Sequence, residues 1–269
     1  MAKKSKKAKE EKEEYVELRG LFGDASDYHV YHMKKMDVLL AYLIGLGIGL
    51  VVIYAFFRNP ILMIIGGVFC ARLAPPYYNT YKKNSRLKHL REQFKDLLES
   101  LTASYSAGRN TPQAFEDAKD DMASIYGEDA DIVKELEIIC AGLGNNINIE
   151  QLLLDFAARS GLDDVLSFAN VFEVCNRQGS DLKRIVSETW DIINDKIEIE
   201  MEIDTMLSGN KNELNIMMVM PVVIVLSLSS MGTGTIVSNS PVNMIIKLIC
   251  LGIFGGAYLI GRKIVDIKI

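Results

Sequence analysis

Charge is absent from two long stretches of this chain, proline is scarce throughout, and histidine and tryptophan hardly occur. No residue from Val38 to Phe57 is charged, and none from Leu214 to Ile246, a run of 33. Six prolines in 269 residues leave little to interrupt helices, so an almost all-helical chain is expected. Of three histidines, His29 and His32 stand three apart with Asp27 nearby, and His89 is the remaining one; no third ligand cluster exists, and no metal is expected. The four cysteines include no C-x-x-C pair, which argues for free thiols in a reducing compartment. With 30 basic and 35 acidic residues the net charge is −5, so nothing global points to nucleic acid. No Ser/His/Asp, Cys/His or paired-carboxylate arrangement stands out, and neither enzymatic activity nor a cofactor is expected.

Two glycine patterns resemble nucleotide loops without serving as such. Gly256 to Lys263 has P-loop glycines, but Arg262 stands where lysine belongs and no Ser or Thr follows. Gly45-x-Gly47-x-Gly49 lies inside an apolar stretch. There Gly45-xxx-Gly49, like Gly252-xxx-Gly256 and Gly66-Gly67, permits close helix packing.

What the chain does have is segregation. Apolar residues make up 49% and charged residues 24%, and mean hydropathy is +0.14. These values fit together when apolar and charged residues occupy separate blocks, as in a membrane protein with a large water-facing part. Val38 to Phe57 is 20 residues long; at about 1.5 Å per residue it spans about 30 Å, the thickness of a bilayer core. Ile61 to Ala74 gives a second span, with Arg72 snorkelling, Tyr77 and Tyr78 as an interfacial anchor, and Pro75-Pro76 as its stop. A third is expected from about Ile216 to Val237, kinked at Pro221, and a fourth from about Val242 to Gly261. The expected division is therefore a charged segment 1–37, a first hairpin 38–74, a helical block 75–213, and a second hairpin with a short tail over 214–269. Eighteen Lys and Arg residues fall in the N-terminal segment, the root of the block and the tail, which puts both termini and the block in the cytoplasm. The apolar spans lack mid-membrane ionisable groups, which disfavours transport.

Residues 75–213 show helical spacing. Leu87, Leu90, Phe94, Leu97, Leu98, Leu101 and Tyr105 form one stripe, ended by Gly108. Thr111 caps a second helix with Pro112 behind it; Phe115, Ala118, Met122, Ile125 and Tyr126 form its apolar side. Four more follow: one from Ile132 to Leu143, one capped by Asn148, one from Leu162 to Cys175, and one starting near Ser180 or Asp181. A weak repeat runs through them. Gly108, Asn146 and Gly179 each precede a helix, with Thr111, Ile149 and Leu182 at +3 and small or apolar pairs at +6 and +7. The fold expected is thus all-α and membrane-integral: two spans, a cytoplasmic six-helix bundle, two spans.

The block is acidic, with 26 Asp and Glu against 15 Lys and Arg. Asp117, Asp120 and Asp121, then Glu128, Asp129 and Asp131, concentrate this charge and form the candidate docking face for a basic protein partner. A solvated face accounts for the same residues, and a membrane-anchored adaptor recruiting a soluble partner is the alternative function.

Between the paired spans stand three runs: Leu97-Leu98 to Gly108 followed by Thr111-Pro112-Gln113-Ala114-Phe115, Leu152 to Asp164 (LLLDFAARSGLDD), and Phe172 to Ile185 (FEVCNRQGSDLKRI). With their order, this pattern resembles the F-type platform proteins of type II secretion and type IV pilus machines, in the single-block tight-adherence (Tad/Flp pilus) branch. Gly108, Arg159, Gly179 and Pro221 fall on motif positions of structural role. The family usually has glycine where Asn146 stands, and the Lys/Glu-rich residues 1–20 lie outside its pattern. The resemblance implies a non-catalytic platform of the inner or plasma membrane. Its partners would be a hexameric cytoplasmic secretion ATPase, pilin subunits, further copies of itself or a paralogous platform protein, and the bilayer.

Overall fold

Helix ends in this protein follow local chemistry. The computed structural model describes residues 18, 20–21, 25–33, 35–57, 60–178, 182–230, 245–247, 249–250, 252–253, 255–257 and 260–261. Among the described residues seven helices of 12 or more residues run in order: α1 Lys35–Phe57, α2 Pro60–Ser106, α3 Thr111–Tyr126, α4 Asp131–Gly144, α5 Ile149–Ser160, α6 Asp163–Gln178 and α7 Leu182–Ser230. No strand occurs among the described residues.

The repeat in the sequence is a repeat of helix starts. α3 and α5 begin at Thr111 and Ile149, each three residues after Gly108 and Asn146, and Leu182, three after Gly179, is the first described residue of α7. Gly108 has φ +79°, and Asn146, at +59°, is the one non-glycine in the left-handed region among the described residues. Asparagine takes that region more readily than other side chains, so Asn146 can make a left-handed turn as Gly108 does. Gly179 lies outside the described residues. Of the pairs at +6 and +7, Ala114, Phe115, Leu152, Leu153 and Val186 are buried and Ile185 is half-buried.

Two expectations about helix ends need correction. The cap of α3 is Asn110, not Thr111: its side chain accepts a hydrogen bond from the Gln113 N–H at 3.0 Å, and Pro112 sits one position into the helix. Pro75-Pro76 do not stop α2, which passes through both. Proline's fixed φ is itself helical, and adjacent prolines confine the missing donors to one turn. The Thr80 hydroxyl donates back to the Pro76 carbonyl at 3.0 Å.

The chain forms two compact units, Met1–His32 with Lys82–Asn194 and Met33–Tyr81 with Asp195–Ile269; α2 and α7 contribute to both. In the first, α3 packs on α4, α4 on α5 and α5 on α6. Its core is built on α2, whose Leu90, Phe94, Leu98 and Leu101 are fully buried as the stripe requires. Phe94 meets Phe156 of α5 and Phe168 of α6 edge-on, with centroids 6.2 and 5.8 Å apart. Ile125 and Tyr126 leave the stripe and are exposed, because α3 ends there at Gly127.

Among the described residues of the second unit few apolar side chains are buried. Ile61 is 67% exposed and Phe69 65%, and Lys35–Ala55 and Ile61–Ser106 are both long and apolar enough to cross a membrane. α1 and α2 touch through small residues. A Cβ at Gly45 would lie 2.6 Å from Ala74 Cβ, and one at Gly49 would lie 2.8 Å from Cys70 Cβ and 3.1 Å from Gly67 Cα. Glycine is what allows this approach. Gly252 and Gly256 meet nothing within 4 Å. The apolar helix Asn212–Leu228 is shorter, and the expected third and fourth spans fall partly on 231–244, outside the described residues.

Candidate functional site

Two features of the helical unit stand apart from ordinary packing: a buried ionic knot and an acidic groove. The knot starts from Arg159 on α5 and Glu135 on α4. Each occupies an apolar stripe, Glu135 between Ile132 and Ile139, Arg159 after Leu152 and Phe156, and each is 1% exposed. Their side chains pair two to two, Nη1 to Oε1 at 2.7 Å and Nη2 to Oε2 at 2.6 Å. The Arg159 Nε donates to Asp155 at 2.8 Å. Burial works against the guanidinium's charge, but the hydrogen bonds and charges of Glu135 and Asp155 outweigh it and raise its pKa.

The described part of the N-terminal segment closes this knot. Arg159 Nη1 also donates to the Ser26 carbonyl at 3.2 Å, and the Tyr28 N–H donates to the Arg159 carbonyl at 3.1 Å. The buried Tyr28 hydroxyl donates to Glu135 Oε1 at 2.9 Å. Arg86 of α2 covers the Tyr28 ring at 4.6 Å from its centroid and forks onto Asp131 at 2.8 and 2.5 Å. Burial, then the negative charges of Glu135 and Asp131, push the Tyr28 hydroxyl far above its ordinary range. Asp27 holds the segment's own bend, accepting from the His29 N–H at 2.8 Å and the Leu18 N–H at 2.9 Å. Gly161 ends α5 at φ +63°, where a Cβ would lie 2.5 Å from His29 Nε2. The described residues 18, 20–21 and 25–32 are therefore a strap on the bundle, pinned at Tyr28.

The groove lies between α2 and α3 and encloses about 510 Å³. Asp96, Glu99 and Ser100 line one side, Asp121 and Ser124 the other, with Ala103, Met122 and Ile125 as apolar surface. Ser100 Oγ donates to Asp121 at 2.6 Å, and the Tyr126 hydroxyl donates to Asp96. Both bonds fix carboxylates in place while leaving their charge facing the groove. Lys95 Nζ stands 3.5 Å from Asp96 and Lys119 Nζ 3.7 Å from Asp120.

The six acids expected to form one docking face divide among three situations. Asp121 lines the groove. Asp120, Glu128 and Asp129 are exposed, Asp129 3.6 Å from Lys134, and Asp117 pairs with Arg109 at 3.0 Å. Asp131 is spent on Arg86 inside the unit. Of the motif positions, Gly108 is a left-handed turn, Arg159 is the centre of the knot, and Pro221 lies inside α7.

No family model, curated protein or solved structure matches the chain.

Among the described residues no three His, Cys, Asp or Glu side chains form a metal-sized cluster; Asp27 and His29 serve the strap. The Cys140 thiol is pushed up by burial, away from the reactive range. Sequence reasoning missed Tyr28, Glu135 and Asp155 in the knot and Asp96, Glu99 and Ser100 in the groove. Glu135 carried a legible signal, a carboxylate between apolar residues of one helical face. Tyr28 carried none, since its segment has no periodicity.

Proposed function

We propose that this chain is a platform protein of a type IV (Tad/Flp) pilus or type II secretion-like machine in the inner or plasma membrane. In this reading the helical unit is cytoplasmic, faces a hexameric secretion ATPase, and transmits its movement to pilin subunits through the apolar helices. The protein itself performs no catalysis. It works with further copies or a paralogous platform, and its apolar helices are membrane spans with both termini inside.

The observation that carries the reading is the acidic helical unit with its repeated left-handed-turn helix starts, set between long apolar stretches of the chain. Its charge suits a cationic protein surface and repels nucleic acid. The buried knot and the aromatic core give it the rigidity that force transmission needs. The clustering of Lys and Arg beside the apolar stretches supports the cytoplasmic assignment.

Deleting the gene is expected to abolish surface pili or secretion while pilin synthesis continues, and the tagged protein is expected to copurify with a secretion ATPase. Normal pili and secretion in the deletion strain would refute the platform reading.

A further inference from the structure

The groove between α2 and α3 has an acidic rim and an apolar floor, and the same chain carries a run of complementary sign. Lys3, Lys4, Lys6, Lys7 and Lys9 occur within seven residues that include no acid. We propose that this lysine run docks into the α2–α3 groove of its own chain, against Asp96, Glu99 and Asp121, and so competes with any cationic partner for that surface.

Reach permits it. Leu18 is held to Asp27, next to Tyr28, whose ring lies 4.6 Å from Arg86 on α2. From Arg86 the groove residues Asp96 to Ala103 lie about 15–25 Å further along the helix. Lys9 and Lys3 precede Leu18 by nine and fifteen residues, enough for about 30 and 50 Å of extended chain. The whole run can therefore lie along the groove, at a high effective concentration set by the short tether.

Chemistry favours lysine there. Its four-carbon stem can lie on Ala103 and the 62%-exposed Ile125 while the ammonium reaches the rim carboxylates. The Ser100 and Tyr126 hydroxyls already donate to Asp121 and Asp96, so those carboxylates are oriented before anything binds. The contact lies within one chain, and it holds or fails independently of the platform reading.

Zero-length carbodiimide cross-linking of the full-length protein in detergent, read by mass spectrometry, tests the contact. Cross-links from Lys3–Lys9 are expected to concentrate on Asp96, Glu99 and Asp121. In a mixture of isotopically labelled and unlabelled copies they should join residues of the same copy. Replacing the three acids together (D96N, E99Q, D121N) keeps the shape of each side chain. It is expected to lower lysine-run cross-linking to the remaining acids of α3 by about tenfold at low salt, as is raising the salt with the groove intact. Cross-links spread evenly over the exposed acids, cross-links only between copies, or a run that cross-links to the bundle in neither buffer and instead binds vesicles of anionic lipid would each overturn the proposal.

Discussion

The two units of this molecule use the same apolar residue types in opposite ways. In the helical unit Phe94, Leu98, Phe115, Leu136, Phe156 and Phe172 are buried against one another. In the other, Ile61, Ile64, Ile65, Val68 and Phe69 face outward while glycine and alanine make the helix contacts. Water drives the first arrangement, because each apolar side chain removed from it contributes a few kcal/mol. The second makes sense in a solvent as apolar as the side chains, where contact comes from close backbone approach. Among the described residues the buried ion pair, the Arg159–Glu135 knot, lies in the interior of the first unit.

The contrast breaks most sharply on a pair of substitutions. Phe94→Ala removes the ring shared by α2, α5 and α6 and is expected to cost about 3–5 kcal/mol. Ile64→Ala, on the exposed surface of the apolar unit, is expected to change stability by less than about 0.5 kcal/mol in detergent. Thermal unfolding of the full-length protein in one detergent, followed by circular dichroism, compares them; equal losses would mean that Ile64 is packed in a core.

A similar loss is expected when the knot is left half made. Glu135→Leu takes the two-to-two partner from the buried Arg159 guanidinium, leaving it only Asp155 and the Ser26 carbonyl, and should cost about 3–5 kcal/mol, whereas the double change with Arg159→Met should regain most of it. Double-mutant analysis by urea unfolding checks this, and additive losses would show that the two residues are not coupled.

The smallest effect is expected from alkaline pH. Burial pushes the Tyr105 hydroxyl up to about 12 from the ordinary 10, and partial desolvation of its hydroxyl, with the neighbouring Asp96, does the same at the largely exposed Tyr126. Below pH 10 both states hold neutral tyrosines and the stability is fully present. Between pH 10 and about 12 the unfolded chain ionises first, so stability falls as pH rises through that window. Urea midpoints at pH 9, 10.5 and 11.5 should decline, and Tyr105→Phe should make the decline shallower. An unaltered slope in that variant would put Tyr105 in water.

Much of this architecture is legible in the residues. The stripe from Leu90 to Leu101, the turns at Gly108 and Asn146, and the starts at Thr111 and Ile149 are local matters of periodicity and backbone freedom. The stops were less legible. Pro75-Pro76 read as a break, yet the helix continues because proline opposes a helix through a lost donor and a clash that one turn can absorb. The candidate site was legible only in part. Asp117 to Asp131 were a cluster in sequence, but α3 ends at Tyr126 and α4 begins at Asp131, so the fold sends Asp121 to a groove and Asp131 to an internal pair.

The sequence alone determined where helices begin, which of their faces are apolar, and which stretches carry no charge, since each depends on neighbours within a few residues. Tertiary structure decided which charges are buried and what they hold. Arg159 meets Glu135 across 24 positions, Arg86 meets Asp131 across 45, and Tyr28 meets Glu135 across 107. Nothing local encodes such partners. They are fixed only when close packing excludes water and leaves each buried charge no partners but the groups the fold brings beside it.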